Sequence, residues 1–390
     1  MKKFKNYLLI VCYGLIIFII TRPVPFSGLS TVANISLILI PFIYLFPLKN
    51  NETSKFYSII FIFAWSLTLF FYSVIFCGND LVLTFRFLII IVLILIAYFI
   101  KLPIGILKLL FYFVAFQCIF LILFELVLMF NFIPFKPSDV RFIFNTKEWG
   151  DIYSFNDFFY KIQIKGNALI PFALFLSFIK LKTIKNLRVF RIIFFLGLIV
   201  SGNLAYLIAL VFFLFFYYFL NSSLRQFHNN LITFFFICVI FIFPVSNFLM
   251  EQIEMKKENS LSVRYDQTEV LINDLTYNPY SLLLGRGLGN TIAVKTRFRD
   301  YTGDIYYELQ ALYFMNQMGI VNFTFFLFLN YLFIMQKIKL RKMKIIYFSY
   351  ILYAITNPYI LDTNHVIVIL TLVTLDNHLR NENRMHSSTL

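Results

Sequence analysis

The sequence predicts an all-α polytopic membrane protein with about twelve transmembrane helices and two sizeable extracytoplasmic loops. Three observations carry this. Of 390 residues, 60% are hydrophobic and only 14% charged, against the roughly half apolar and quarter charged of a soluble domain. The apolar residues fall in blocks near the roughly 17–25 residues that cross a bilayer as a helix. Within the blocks they are continuous rather than alternating, which excludes a β-barrel. With no water to satisfy the backbone, each block must then be helical.

The elements follow in order. Lys2, Lys3 and Lys5 precede an apolar run to Ile20. That start resembles a signal peptide, but Thr21-Arg22-Pro23 offers no small-residue cleavage site and many spans follow, so it is read as the first helix. The blocks cover 6–20, 29–48, 57–77, 81–100, 104–133, 167–181, 189–201, 204–220, 231–249, 306–335, 345–358 and 363–376. Between them lie loop A, 134–166, and loop B, 250–305. Both mix aromatic residues with charges of either sign, unlike a disordered linker. The chain, 1–390, reads as a single membrane domain.

Orientation follows from Lys and Arg in the connections. With a cytoplasmic N-terminus, twenty basic residues fall on the cytoplasmic side: Lys2, Lys3 and Lys5; Lys49 and Lys55; Lys101 and Lys108; Lys180, Lys182, Lys185, Arg188 and Arg191; Arg225; Lys337, Lys339, Arg341, Lys342 and Lys344; Arg380 and Arg384. They face only Glu52, Asp376 and Glu382. Both termini are therefore expected in the cytoplasm. The blocks 189–201 and 204–220 could fuse through Ser201-Gly202-Asn203. Fusion would place the Lys337–Lys344 cluster outside in a short loop, so two helices and a tight outer turn are expected instead.

The net charge of +15 belongs to this topology and not to nucleic-acid binding, for which no module is present. Cys12, Cys77, Cys118 and Cys238 lie in or at the ends of apolar blocks without metal spacing and read as small core residues.

Chemistry concentrates in loop B. It carries Ser260-Leu-Ser-Val-Arg264, then Asn278-Pro279, then Gly285-Arg286-Gly287-Leu288-Gly289, then Lys295, Arg297 and Arg299. Asp304 to Glu308 leads into a block that continues through Gly319-Ile320. The glycines permit a tight turn and close approach of a ligand, though without a dinucleotide or Walker setting a plain surface turn is the alternative. Arg suits bidentate binding of phosphate.

This order of motifs, with twelve spans and a major loop before the tenth, resembles the O-antigen polymerase and ligase superfamily, and within it the repeat-unit polymerases of O-antigen or capsule. The motif resemblance covers about 260–320; the rest is topology. It implies a metal-independent, cofactor-free, inverting glycosyl transfer at the periplasmic face of the bacterial inner membrane. The donor would be a glycan on undecaprenyl pyrophosphate, and membrane lipids and a chain-length regulator protein would be the other partners. Such a reaction needs positive charge where the pyrophosphate leaves and a base at the acceptor hydroxyl. The chain has no Asp-x-Asp triplet, in keeping with metal independence.

On this resemblance Arg264 matches the family's loop arginine and would hold the pyrophosphate; a salt bridge to Asp266 or Glu269 is its alternative. Arg286 is a second candidate, and Gly285, Gly287 and Gly289 would line the site. Ligases of the superfamily carry a His where this chain has Tyr306-Tyr307-Glu308, so Glu308 becomes the candidate base and the ligase the lesser reading. A lipid-linked oligosaccharide flippase is the non-enzyme alternative, against which stands the concentration of polarity in loops and not in spans. Among the remaining candidates, Arg86 lies in the fourth span, where an arginine is either functional or snorkelling. Glu125, in the fifth, could pair with Arg86 or face a cavity. Arg141, Lys161 and Lys165 of loop A could add substrate contacts or be solvated charges. His365, near Asp362, is a minor candidate base.

Overall fold

A computed structural model describes residues 2–23, 28–45, 53–130, 136–147, 149–154, 159–164, 166–219, 262–295, 300–303, 307 and 309–387. In chain order its helices are α1 (Lys2–Thr21), α2 (Leu29–Leu45), α3 (Thr53–Phe71, continued by a π-helical turn at Tyr72–Phe76), α4 (Leu81–Ala97), α5 (Ile106–Met129) and α6 (Pro137–Thr146). Strands β1 (Gly150–Ser154) and β2 (Tyr160–Ile164) follow. Then come α7 (Leu169–Ser177), α8 (Leu187–Ser201), α9 (Leu204–Phe219), α10 (Ser262–Leu275), α11 (Pro279–Leu284), α12 (Gln310–Lys337), α13 (Arg341–Ile355) and α14 (Thr363–Ser387).

Lys3–Thr21, Lys55–Phe76, Ile106–Met129 and Gln310–Lys337 are long and apolar enough to cross a membrane, and α2, α4 and α9 are shorter apolar helices. Only 28% of the apolar window in Lys55–Phe76 is buried, and Phe61, Phe71 and Ile75 on it are exposed. Soluble proteins rarely show apolar surface on this scale; the architecture is that of a helical membrane protein. The buried side chains form one connected core, from Leu9 on α1 to Leu375 on α14.

Three expectations are corrected or left aside. The block 167–181 is not one spanning helix. Only Leu169–Ser177 is helical, about 14 Å of rise, and all nine of its residues are buried. Protein on every side lets the flanking backbone be irregular, which lipid would not. The fold is not purely α either: β1 and β2 pair antiparallel in loop A, with Ile152 opposite Ile162. Tyr160, Ile162 and Ile164 point inward and alternate with Lys161 and Gln163, the period-2 pattern of a half-buried strand. The block 231–249 lies outside the described residues, as do Cys238, Lys165, Arg297, Arg299 and Glu308.

The turn at 201–204 is as expected. Gly202 caps α8 in the left-handed conformation (φ 59°), which glycine adopts without penalty. Asn203 accepts the Ala205 amide (3.0 Å) and donates to Asn357 (2.9 Å).

Contacts sort the connections into two ends. At one end, Asn203 meets Asn357 between α13 and α14, Lys161 of β2 lies against Gly202, and the loop after α11 meets the α3–α4 turn. At the other, Lys5 donates to the Tyr44 carbonyl (3.1 Å). There Asp376 of α14 accepts the Lys339 and Leu340 amides between α12 and α13 (2.9 and 2.7 Å), and Thr374 accepts the Leu102 amide after α4 (2.9 Å). Of the basic connections named above, those among the described residues gather at this second end, and the described parts of both loops lie at the first.

Candidate functional site at loop B

Loop B is anchored by a break in α12. Gly319 has φ 70° and ψ 168° inside an otherwise helical run, which interrupts the backbone hydrogen-bond ladder. The carbonyls at the break, on Asn316 and Gln317, accept the amides of Arg286 and Gly287 (both 2.9 Å). Gly285 crosses Gly319 so closely that a Cβ on either would lie 2.2–2.4 Å from backbone atoms of the other strand. The loop's outer side seats on the π-helical turn after α3. Tyr72 donates to the Gly285 carbonyl (2.9 Å), Asn79 to the carbonyls of Arg286 and Leu288 (2.9 and 3.0 Å), and Thr84 to Leu288 (2.8 Å). Ser73 accepts the Leu288 amide (2.7 Å) and Gln317 the Gly289 amide (3.3 Å).

Every amide from Gly285 to Gly289 therefore has a protein partner, that of Gly285 being the Ser281 carbonyl (2.9 Å). Gly285, Gly287 and Gly289, expected to line a ligand site, form an interlock between α3, α4 and α12. Their backbone offers no free donors to a phosphate in this conformation.

Arg286 is also engaged. Its Nε and a terminal nitrogen bind both oxygens of Asp274 on α10 (3.2 and 2.8 Å), and its guanidinium lies over the Tyr277 ring (5.0 Å). Asp274 further accepts Asn316 (2.9 Å). The pair thus ties α10 to the glycine loop and to α12.

The short helix α11 starts on a capping box. Asn278 accepts the Ser281 amide (2.7 Å), Ser281 accepts the Asn278 amide (3.2 Å), and Pro279 sits where no amide is needed. Tyr277, Tyr280 and Leu283 around it are exposed, the composition of a membrane–water interface.

At the head of α12 the arrangement differs. Arg264 and Gln267 are three residues apart on α10, on one face. Gln267 is fully buried, and its Oε1 accepts the Leu309 amide (3.4 Å). Its Nε2, and Oε1 of the adjacent buried Gln310, have no hydrogen-bond partner among the described residues. Behind them Tyr301, Tyr307 and Tyr313 stack with ring centroids 5.7 and 4.3 Å apart. Lys295 and Asp300 close the loop's far end (3.7 Å), where hydrogen bonds from Thr302 and the nearby Lys295 hold the Asp300 carboxyl below its usual range.

The remaining candidates lie elsewhere. Arg86 is exposed on α4 and makes no ion pair among the described residues. Glu125 does not pair with it: buried on α5, Glu125 accepts the Tyr160 amide through Oε1 (2.7 Å) and so docks the hairpin of loop A. Arg141 binds Asp151 through Nε (2.9 Å) within loop A. His365 is buried between Tyr347 and Tyr350, with Nδ1 against the Ile360 carbonyl (2.8 Å) and Nε2 against Tyr347 (3.2 Å). Tyr98 continues the chain to Tyr347 (2.9 Å) and Asn330 (3.0 Å). With both ring nitrogens engaged, His365 holds helices together and does not face an open site.

Sequence reasoning missed Gln267, Gln310, Asp274 and Asn316. Polar residues inside the apolar block 306–335 were the available signal for Gln310 and Asn316; Gln267 and Asp274 needed the packing of α10 on α12. Among the described residues no group of His, Cys, Asp and Glu could hold a metal ion. No family model, curated protein or solved structure matches the chain.

Proposed function

We propose that this chain is a repeat-unit polymerase, an inverting glycosyltransferase that extends an undecaprenyl-pyrophosphate-linked O-antigen or capsule glycan. In this reading about twelve crossings, one of them the 167–181 segment of which α7 is only the helical part, leave both termini in the cytoplasm and loops A and B outside the inner membrane. The observation that supports it is the head of α12. There two buried amide side chains, Gln267 and Gln310, have polar atoms unmatched among the described residues; Gln267 is three residues from Arg264 and Gln310 two from Glu308. Buried polar groups are nearly always paired, and planar amides beside a cation suit sugar hydroxyls and a pyrophosphate.

The chemistry assigned to the site is simple. The acceptor hydroxyl attacks the anomeric carbon of the donor glycan from the face opposite the pyrophosphate. Glu308 takes the hydroxyl proton, and the bond to the lipid pyrophosphate breaks. Arg264 stabilises the charge that develops on the leaving group, where a preorganised cation acts most strongly. The Asp274 carboxylate, bound by Arg286 and Asn316, ties α10, and Arg264 with it, to α12.

The test is the polysaccharide gel profile of a strain lacking this gene, complemented with the wild type or with Arg264→Ala. A deletion that leaves one repeat unit on the acceptor, restored to a ladder by the wild type and not by Arg264→Ala, agrees with the proposal. Loss of every repeat unit would point to a ligase or flippase, and an unchanged ladder would refute the reading.

A further inference from the structure

A second feature lies at the basic end, between α7, α8 and α9. Leu174 of α7 and Phe178 just after it, Arg191 and Leu196 of α8, and Leu210 and Leu214 of α9 line a groove of about 310 Å³. Apart from Arg191 its lining is apolar, and Leu196 and Ile192 at its rim are exposed. The groove opens on the surface that this fold presents to lipid.

The cations at its mouth are held in a fixed arrangement. The Arg191 guanidinium lies 4.1 Å over the Phe178 ring and donates to the Ser177 carbonyl (2.9 Å). Tyr217 donates to the Phe178 carbonyl (2.9 Å), and its ring packs 6.0 Å from that of Phe178. Lys342, arriving from α13, stands 5.5 Å over the Tyr217 ring. Two cations from distant parts of the chain thus flank one aromatic pair, with Arg188 one turn before Arg191.

Among the described residues these charges have no acidic partner. No Asp or Glu occurs between Asp157 and Glu251, and none of Arg188, Arg191 and Lys342 forms an ion pair among the described residues. Like charges gathered without counter-charges repel, and the repulsion is relieved by an anion from outside the chain. An apolar groove running from such a cluster fits one molecule with both characters.

We propose that this groove is a binding site for an anionic phospholipid, with an acyl chain between α7, α8 and α9 and the phosphate against Arg191, Lys342 and Arg188. Basic pockets between membrane helices recognise anionic headgroups in this way. Arginine supplies a planar fork that matches phosphate, and lysine a point charge. This inference rests on the chain being a membrane protein and not on the reaction proposed above.

The experiment uses the purified full-length protein in a neutral detergent. Native mass spectrometry counts retained lipid, and thermal unfolding reads stabilisation, during titration with phosphatidylglycerol or with phosphatidylcholine of the same acyl chains. Phosphatidylglycerol is expected to be retained and to raise the unfolding temperature, with phosphatidylcholine and soluble glycerol 3-phosphate doing neither. Lys342→Gln is expected to weaken retention about fivefold, the value of one charge near an anionic headgroup. Leu196→Trp, which fills the groove and leaves every cation in place, is expected to abolish it. Arg191 is left unmutated because it caps α7. Equal effects of the two lipids, or a full effect of glycerol 3-phosphate, would overturn the proposal. Unchanged retention by Leu196→Trp would overturn it too, since the binding would then be surface charge alone.

Discussion

Replacing Gly319 by alanine tests the interlock that holds loop B on α12. At φ 70° and ψ 168° the backbone lies in a region that is nearly glycine-only, so a side chain there costs about 1–3 kcal/mol. The added Cβ would lie 2.3 Å from the Leu283 carbonyl oxygen and 2.4 Å from the Gly285 nitrogen. Both are backbone atoms, so relief requires the two segments to part. Parting removes the bonds from Arg286 and Gly287 to the α12 carbonyls, each worth about 1 kcal/mol net. Together the loss is about 3–5 kcal/mol, concentrated at one junction. Gly303→Ala is the control: its φ is 77°, but a Cβ there meets nothing within 4 Å, so only about 1–2 kcal/mol of backbone strain is expected. The assay is amide hydrogen exchange in detergent micelles. Gly319→Ala should raise exchange at Arg286–Gly289 about a hundredfold or more, since each 1.4 kcal/mol is about tenfold, with the transmembrane core of α5 unchanged. Protection of those amides equal to that in Gly303→Ala would refute the interlock.

Further outcomes follow from other contacts. Glu125→Gln keeps an acceptor for the Tyr160 amide and should leave thermal stability unchanged or raised. Glu125→Ala strands that buried donor and should cost about 1–3 kcal/mol, read as a lower unfolding temperature and faster proteolysis of loop A. Tyr347→Phe removes the link between Tyr98 and His365 and should destabilise by about 1–3 kcal/mol while the polysaccharide ladder persists; loss of the ladder in a folded Tyr347→Phe protein would return His365 to the site. Single cysteines at Tyr277 and Lys342 report sidedness. In intact cells a membrane-impermeant maleimide should label the first and not the second, and the reverse pattern would invert the proposed topology.

Loop A shows how much could be read ahead of the fold. The alternation Tyr160-Lys161-Ile162-Gln163-Ile164 has the period of a strand although the chain as a whole reads as all-α, and Asn278-Pro279 with Ser281 has the pattern of a helix start although it reads only as a motif before the glycine turn. Both are local patterns, set by the period of side chains along a strand and by the unpaired amides of a first helical turn. The turn at Gly202 was legible for another reason: fusing the two blocks would have put the distant Lys337–Lys344 cluster outside. Arg286 shows the opposite. Twelve residues from Asp274, on a different element, it carries the same side chain whether it holds a phosphate or a carboxylate.

The sequence by itself determined that this chain lives in a membrane, where most helices begin and end, and which connections gather positive charge. Those properties follow from transfer free energies and local geometry, which each residue carries with it. Only the tertiary structure decided that the glycines of loop B join protein to protein, that Glu125 docks a hairpin, and that α7 is short and enclosed. Each depends on which distant backbone or side chain arrives as a partner. A glycine that admits a ligand and one that admits another strand meet the same local requirement, a backbone without a Cβ; what occupies the space is settled by the packing of α3, α4 and α12.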